Sequence, residues 1–252
     1  MFWFAVSFLT RLPVPERTHQ ASAETLARAP LCFPLVGALI GLGTGLLALL
    51  LARVLPAPLA ILIALAVEAR ATGAMHEDAL ADAADALGGG WSREDVLRIL
   101  KDSRLGTYGT LALVFGVGLR YVAMVSLPPE RFLGAVVLAA AGGRLVMLYL
   151  LAMLPPIPER RSLSGDLGGG ITRAGRLLAG MALVPAALWL LRALPATQLL
   201  ILLALAILCC AGFLRWYRSY LDARLGGSTG DLLGTSAFVG QLIVLIVLSV
   251  QL

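Results

Sequence analysis

Three uncharged, apolar stretches are the feature of this sequence that most limits its fold. Residues 31–52 and 193–214 are each 22 residues long, and residues 232–252 make a stretch of 21. A helix needs about 20 apolar residues to cross the hydrocarbon core of a bilayer. Only 14% of the 252 residues are charged, against roughly a quarter in a soluble domain. The composition therefore excludes an ordinary soluble globule and predicts an all-α, polytopic transmembrane helix bundle, a single integral membrane domain over residues 1–252.

Hydropathy predicts about seven spans, with six to eight as the range. A window of about 19 residues places them near residues 31–53, 57–75, 106–127, 132–154, 176–194, 197–216 and 232–252. The second span is the weakest, because Glu68 and Arg70 lie within it.

The basic residues predict the orientation of these spans, because cytoplasmic loops retain Lys and Arg. Fourteen of the 20 basic residues fall in the N-terminal segment and alternate loops, three fall in the other loops, and three lie within spans. We therefore predict that the protein lies in the cell (inner) membrane and that its N-terminus is cytoplasmic. The net charge of +5 mostly reflects this topology, so no nucleic-acid partner is predicted. The long inner segments at 75–109, 155–176 and 217–234 form the predicted catalytic face, which faces the cytoplasm.

Residues 75–88 predict an acidic helix at the membrane boundary. The stretch is rich in helix formers and ends in glycines. Asp78, Asp82 and Asp85 stand at i, i+4 and i+7, so they share one helix face. Like charges at these spacings repel, and oxygen ligands favour Mg²⁺. These carboxylates predict a magnesium site, with a solvated acidic helix end as the alternative. His76, on another face, is a candidate proton acceptor.

A basic segment follows at residues 98–109. Lys101 and Arg104 are candidate phosphate-binding side chains, and Asp102 could complete a metal shell. Two glycines in the segment permit a close approach of the backbone to a ligand. Topology alone also accounts for basic residues before a span, so both interpretations stay open.

A glycine-rich segment at residues 225–235 precedes the last predicted span. Its backbone N–H groups can form an anion-binding nest at the start of a helix. The candidate substrate-binding residues are Gly226, Gly227, Thr229 and Gly230. Asp231 can cap the helix or bind metal. The segment is not a Walker A loop, since no Lys-Ser/Thr follows the glycines.

Together, three inner segments that are distant in sequence offer what a metal-bound pyrophosphate needs. Their convergence predicts phosphoryl transfer. The arginines inside the spans, Arg70, Arg120 and Arg144, either neutralise substrate phosphate or pair with Glu68. Intramembrane charges also suit a transporter pathway, which is the alternative outside enzyme chemistry.

These motifs resemble those of the cobalamin synthase family, adenosylcobinamide-GDP ribazoletransferase. The matching motifs are FLTRLPVP at 8–15, FPLVG at 33–37, the aspartate pattern at 76–85, KDSRLGT at 101–107, and GGSTGD with a further glycine at 226–234. The likeness covers nearly the whole chain. The family pattern has glycine after the first and third aspartates, where this chain has Ala79 and Ala86. Both changes favour helix and retain every carboxylate.

The resemblance implies a concrete reaction. A hydroxyl of α-ribazole, or of its 5′-phosphate, attacks the cobinamide-bearing phosphate of adenosylcobinamide-GDP and releases GMP, with Mg²⁺ as cofactor. The implied metal ligands are Asp78, Asp82, Asp85, Asp102 and Asp231. The implied catalytic residues are Asp78, Asp82 and His76, and Lys101, Arg104 and Arg144 join the glycine-rich segment in binding substrate. Membrane lipids are expected partners, and a homo-oligomer is possible.

Two other membrane transferase classes use aspartate-rich helices and Mg²⁺. The Asp78–Asp82 spacing is similar to the aromatic prenyltransferase motif, but the second such motif carries an asparagine and this chain contains none. The Asp-Gly-x-x-Ala-Arg core of the CDP-alcohol phosphotransferases is also missing. Both classes remain alternatives.

Overall fold

A computed structural model describes residues 1–20, 22–157 and 170–250. Its described residues form α-helices joined by short connections. The helices are α1 (Phe2–Leu9), α2 (Ala23–Arg28), α3 (Phe33–Leu51), α4 (Ala57–Thr72), α5 (Met75–Gly89), α6 (Arg93–Ile99), α7 (Thr107–Val125), α8 (Pro129–Met153), α9 (Arg173–Gly180), α10 (Val184–Leu190), α11 (Ala196–Leu225) and α12 (Gly230–Leu248). The predicted all-α class is confirmed.

Six helical segments in the described part of the chain are long and apolar enough to cross a membrane. They are Ala23–Leu51, Thr107–Val125, Pro129–Met153, Arg173–Leu190, Ala196–Leu225 and Gly230–Leu248. The pair α4 and α5 passes the same test together and would make a seventh span, but it is bent by 84°. The predicted range of six to eight spans, with about seven as the working number, is therefore confirmed.

The bend between α4 and α5 shortens the second predicted span, which ends at Thr72 instead of residue 75. Gly73 and Ala74 both adopt left-handed backbone conformations, with φ of 70° and 54°. The positive φ favours glycine at position 73, and a Cβ there would meet the guanidinium of Arg11. This turn carries the acidic helix α5 away from the axis of α4.

Helices α8 and α12 form the centre of the bundle. Most of their side chains are buried. Small residues let the neighbouring backbones approach: a Cβ at Gly37 of α3 would lie 2.6 Å from the carbonyl oxygen of Ala140 in α8. Gly143 of α8 meets the Ala237 carbonyl of α12 in the same way. Small residues at helix crossings are the usual means of close packing in membrane bundles.

The apolar core is divided into two clusters, one toward each end of the bundle. The first includes Ala48 of α3 and Leu248 of α12. The second includes Phe33 of α3 and Leu232 of α12, together with Ala83 of α5. Helices α3, α8, α11 and α12 contribute side chains to both clusters, and the acidic helix belongs to the second.

A group of polar side chains inside the bundle connects α3, α4, α5 and α7. The Arg120 guanidinium lies 2.6 Å from Oε1 of Glu68, and Thr44 donates a hydrogen bond of 2.7 Å to Oε2 of the same carboxylate. Arg120 also lies 3.3 Å from Glu77. The prediction that an intramembrane arginine pairs with Glu68 is confirmed for Arg120. Arg70 is exposed.

The orientation of the chain is tested by labelling from one side of the membrane. Val54, 81% exposed, lies between α3 and α4, and the exposed Ser103 lies at the opposite end, before α7. In a chain whose natural cysteines are replaced by alanine, we expect Val54→Cys to react with a membrane-impermeant maleimide on intact cells. Ser103→Cys should react only after the membrane is opened. The reverse pattern would place the N-terminus outside.

Removing one partner of the buried ion pair should destabilise the bundle. Glu68→Gln removes the nearer carboxylate from the buried Arg120 and leaves it the longer contact with Glu77. Removing one partner of a buried ion pair costs up to about 3–5 kcal/mol, so we expect a lower unfolding midpoint in detergent. The double variant Glu68→Leu/Arg120→Met should recover part of the loss, because neither charge remains. The exposed Glu130→Gln serves as control. A Glu68→Gln protein as stable as that control would contradict the assignment.

Candidate functional site

The acidic segment forms one continuous helix, as predicted. Helix α5 runs from Met75 to Gly89, and four of its five alanines, Ala79, Ala81, Ala83 and Ala86, are buried against the bundle. Asp78 is exposed, whereas Asp82 and Asp85 are half-buried. The acidic face therefore borders the surface, and the opposite face supplies the packing.

Helix α12 crosses α5 beside the aspartates. The Thr235 hydroxyl donates a hydrogen bond of 2.8 Å to the carbonyl oxygen of Ala79. A Cβ at Gly234 would lie 2.6 Å from the Cβ of Ala79, so the glycine permits this crossing. Asp231 lies one helical turn before Thr235, and its carbonyl accepts a bond from the same hydroxyl. Asp78 and Asp231 thus stand within about one turn of the crossing.

The start of α12 corrects the predicted cap. Thr229, not Asp231, is the N-cap residue, and its hydroxyl accepts a hydrogen bond from the backbone N–H of Leu232. Asp231 lies in the first turn, where its negative charge is stabilised by the helix dipole.

The glycine-rich segment is held against the chain that follows α8. Gly226 ends α11 with a left-handed φ of 69°, and its N–H donates to the carbonyl of Asp222. The N–H of Ser228 donates to Pro155, and the carbonyl of Ser228 accepts from Ile157. These bonds interrupt the predicted run of N–H groups available to an anion. Gly227 is buried beneath Pro155, whereas Gly230 is exposed.

Two arginines that the sequence analysis did not single out tie this segment to the end of α5. Arg224 donates a hydrogen bond to the carbonyl of Gly90. Arg93, at the start of α6, donates one of 3.1 Å to the carbonyl of Leu225. The sequence offers only a weak indication of these contacts, namely an arginine in the last turn of α11. Through them, segments 75–109 and 217–234 meet at one end of the bundle. Residues 158–169 of the third predicted segment lie outside the described residues.

The basic loop before α7 is exposed, and its aspartate is already paired. Lys101 and Arg104 are both exposed, and Arg104 forks onto the Asp102 carboxylate with bonds of 2.6 to 3.0 Å. These bonds lower the pKa of Asp102 to about 2. Both side chains are therefore ionised at neutral pH, and here Asp102 binds a guanidinium.

Asp85 also has protein partners. Its two carboxylate oxygens accept hydrogen bonds of 2.7 Å and 2.8 Å from the backbone N–H groups of Gly106 and Gly109. A Cβ at either glycine would overlap the carboxylate. The two glycines were predicted to admit a ligand, and in the structure they admit Asp85.

His76 and Arg144 lie inside the bundle instead of on the acidic surface. Both side chains are buried. The Arg144 guanidinium donates a hydrogen bond to the side-chain oxygen of Gln241. His76 Nε2 has no hydrogen-bond partner within the described residues. The structure therefore separates these two predicted site residues from Asp78 and Arg104.

The described chain contains no group of three or more His, Cys, Asp or Glu side chains arranged to hold a metal ion. Of the five predicted ligands, Asp85 and Asp102 bind protein groups. Asp78, Asp82 and Asp231 lie near the crossing of α5 and α12.

Comparison with known proteins identifies the family. The family model described as cobalamin-5-phosphate synthase matches residues 1–249. Among similar proteins named adenosylcobinamide-GDP ribazoletransferase, that of Sinorhizobium medicae is 36% identical, covering 96% of this chain and 92% of its own length. That of Leptothrix cholodnii is 39% identical, covering 94% and 89%. No solved structure matches the chain.

These matches decide between the classes that the sequence left open. The matches support the cobalamin synthase family and do not support a prenyltransferase, a CDP-alcohol phosphotransferase or a transporter. Arg120, one of the charges that suggested a transporter, is paired inside the bundle. The protein is a transferase of cobalamin biosynthesis with several membrane-spanning helices. By match length and identity, the chain belongs to the cobalamin-5-phosphate synthase family.

Proposed function

We propose that the protein transfers adenosylcobinamide phosphate from adenosylcobinamide-GDP to α-ribazole or α-ribazole 5′-phosphate, with Mg²⁺ as cofactor. One observation carries the assignment of the site. Asp78 and Asp82 are one turn apart on α5, and Asp231 lies at the start of α12, which crosses α5 beside them. Lys101 and Arg104 stand on the exposed loop that joins this end of the bundle to α7.

The reaction requires a site that stabilises the phosphate charges of both products, GMP and the cobamide. A ribose hydroxyl of the acceptor attacks the phosphorus joined to cobinamide, and a new P–O bond forms. The P–O bond of the diphosphate bridge breaks, so GMP leaves with the electron pair and the acceptor loses its proton. Catalysis of such a step consists of positioning and charge stabilisation. Lys101 and Arg104 are suited to bind the diphosphate oxygens.

The residues present fit Mg²⁺ better than a metal that needs a full protein cage. Magnesium commonly uses one or two carboxylates and completes its shell with water and substrate phosphates. Asp78 and Asp82 would hold it, and Asp231 lies in the first turn of α12, which crosses α5 at Ala79. Bound Mg²⁺ would supply neutralisation of the charge that develops on the diphosphate.

His76 does not reach the acceptor in this arrangement, because its side chain is buried among helices. We assign His76 a structural role, in which its side chain packs on the buried face of α5. The contact between Arg120 and Glu77 holds the same helix in place. Arg144 is likewise a structural partner of Gln241. The acceptor proton therefore passes to a carboxylate of the acidic face or to solvent.

We place the site on the cytoplasmic side of the inner membrane, where most of the Lys and Arg residues lie in the predicted topology. Membrane lipids surround the exposed apolar side chains of α11 and its neighbours. A homo-oligomer stays a prediction from the sequence.

The proposed reaction is tested with purified protein in detergent or proteoliposomes. Adenosylcobinamide-GDP, α-ribazole and Mg²⁺ should yield GMP and a cobamide, and EDTA should stop the reaction. Release of pyrophosphate from a prenyl donor, or of CMP from a CDP-alcohol, without GMP release from the corrinoid donor would contradict the proposal.

Asp78→Ala should lower turnover by at least about 100-fold, because it removes a proposed Mg²⁺ ligand and so weakens the stabilisation of charge on the diphosphate. Membrane insertion and the unfolding midpoint should not change, since the side chain is exposed. Glu94→Ala, an exposed carboxylate on α6, is the matched control and should retain activity. An active Asp78→Ala enzyme would refute the role of Asp78.

A further inference from the structure

We propose that Asp85 is a positioning residue that caps α7 from outside and so fixes the basic loop beside the acidic helix. It would not be a ligand of the metal, although it belongs to the same acidic face as Asp78 and Asp82. The inference deepens the proposed function and rests on it for the role of the loop. The cap itself rests on contacts within the described chain.

The two donors that Asp85 binds are the ones that a helix start most needs to satisfy. Gly106 is the N-cap residue of α7, and Gly109 is its third helical residue. In a capping box, the side chains of these two positions satisfy each other's N–H groups. Both positions are glycine here and have no such side chain. The Asp85 carboxylate of α5 takes the place of both capping side chains and accepts hydrogen bonds of 2.7 Å and 2.8 Å from the two N–H groups.

The glycines are required by the same contact. A Cβ at Gly106 or Gly109 would overlap the Asp85 carboxylate, so any larger residue at either position would move the loop away from α5. The negative charge of Asp85 also lies at the positive end of a helix of 19 residues, where it is stabilising.

The cap acts on the basic loop because the loop ends where α7 begins. Arg104 lies two residues before Gly106, and its partner Asp102 lies two residues earlier still. The Arg104 guanidinium binds Asp102 within the loop itself, so its distance from Asp78 depends on how the loop is anchored. Asp85 supplies that anchor. Turning its carboxylate toward a metal would leave the backbone N–H groups of Gly106 and Gly109 without this acceptor.

A double-mutant cycle with Asp85→Asn and Gly109→Ala tests this role. An amide in place of the carboxylate retains one acceptor and turns its NH₂ group toward the second donor, and Gly109→Ala displaces the side chain directly. Each single variant should raise the KM for adenosylcobinamide-GDP by about 5- to 10-fold, with little change in the Mg²⁺ concentration for half-maximal rate. The double variant should be no worse than the worse single variant, because both disrupt one contact. Glu94→Gln is the charge-matched control.

Two results would overturn the proposal. One is a rise of about tenfold or more in the Mg²⁺ requirement of Asp85→Asn that Gly109→Ala does not share. The other is a double variant whose losses are the product of those of the single variants, since independent sites add in free energy.

Hydrogen exchange supplies a readout that does not depend on activity. Amides of residues 106–110 in Asp85→Asn should exchange at least about tenfold faster than in the control. Unchanged exchange would overturn the cap. If the wild-type protein releases no GMP, the proposed function fails, but the exchange experiment still decides whether Asp85 caps α7.

Discussion

The constraint on which this structure depends is the absence of water inside the hydrocarbon layer. Backbone groups there must bond within helices, and each charge must meet another polar group. The Glu68 and Arg120 pair, with Thr44 and Glu77 around it, satisfies that requirement at the junction of four helices. The charges of Glu68 and Arg120 are therefore paired and shielded from solvent. Arg144, also buried, meets the same requirement by donating a hydrogen bond to Gln241.

The same constraint favours the proposed site, which lies where helices begin and end. The left-handed turn at Gly73 and Ala74 carries α5 away from α4. Helices α7 and α12 then start beside α5, one under the Asp85 carboxylate and the other under the Thr229 cap. Helix starts present N–H groups and a positive dipole. A diphosphate and its cation suit such a place better than the apolar middle of the bundle.

Patterns that repeat along the chain predicted much of this architecture, because hydropathy and helical period depend on neighbours in sequence. The spans, the acidic helix and the approximate position of its aspartates all follow from them. The roles of individual side chains were less predictable. Asp102 was expected to bind metal and binds Arg104, and Arg144 was expected to bind substrate and lies buried beside Gln241. Those outcomes depend on which partner lies nearest in space, and the partner of Arg144 is 97 residues away along the chain.

By itself, the sequence determined that the chain is a membrane bundle with its acidic, basic and glycine-rich segments gathered between apolar spans. It also carried the motifs by which the family is identified. Only the tertiary structure decided which carboxylates stay beside the surface. Asp78 and Asp85 are both aspartates on one face of one helix. Asp85 nevertheless accepts hydrogen bonds from the start of α7, which Asp78 does not contact in this way. The physical reason is that a carboxylate binds the donors that packing brings within reach, and periodicity places a side chain on a face without supplying those donors.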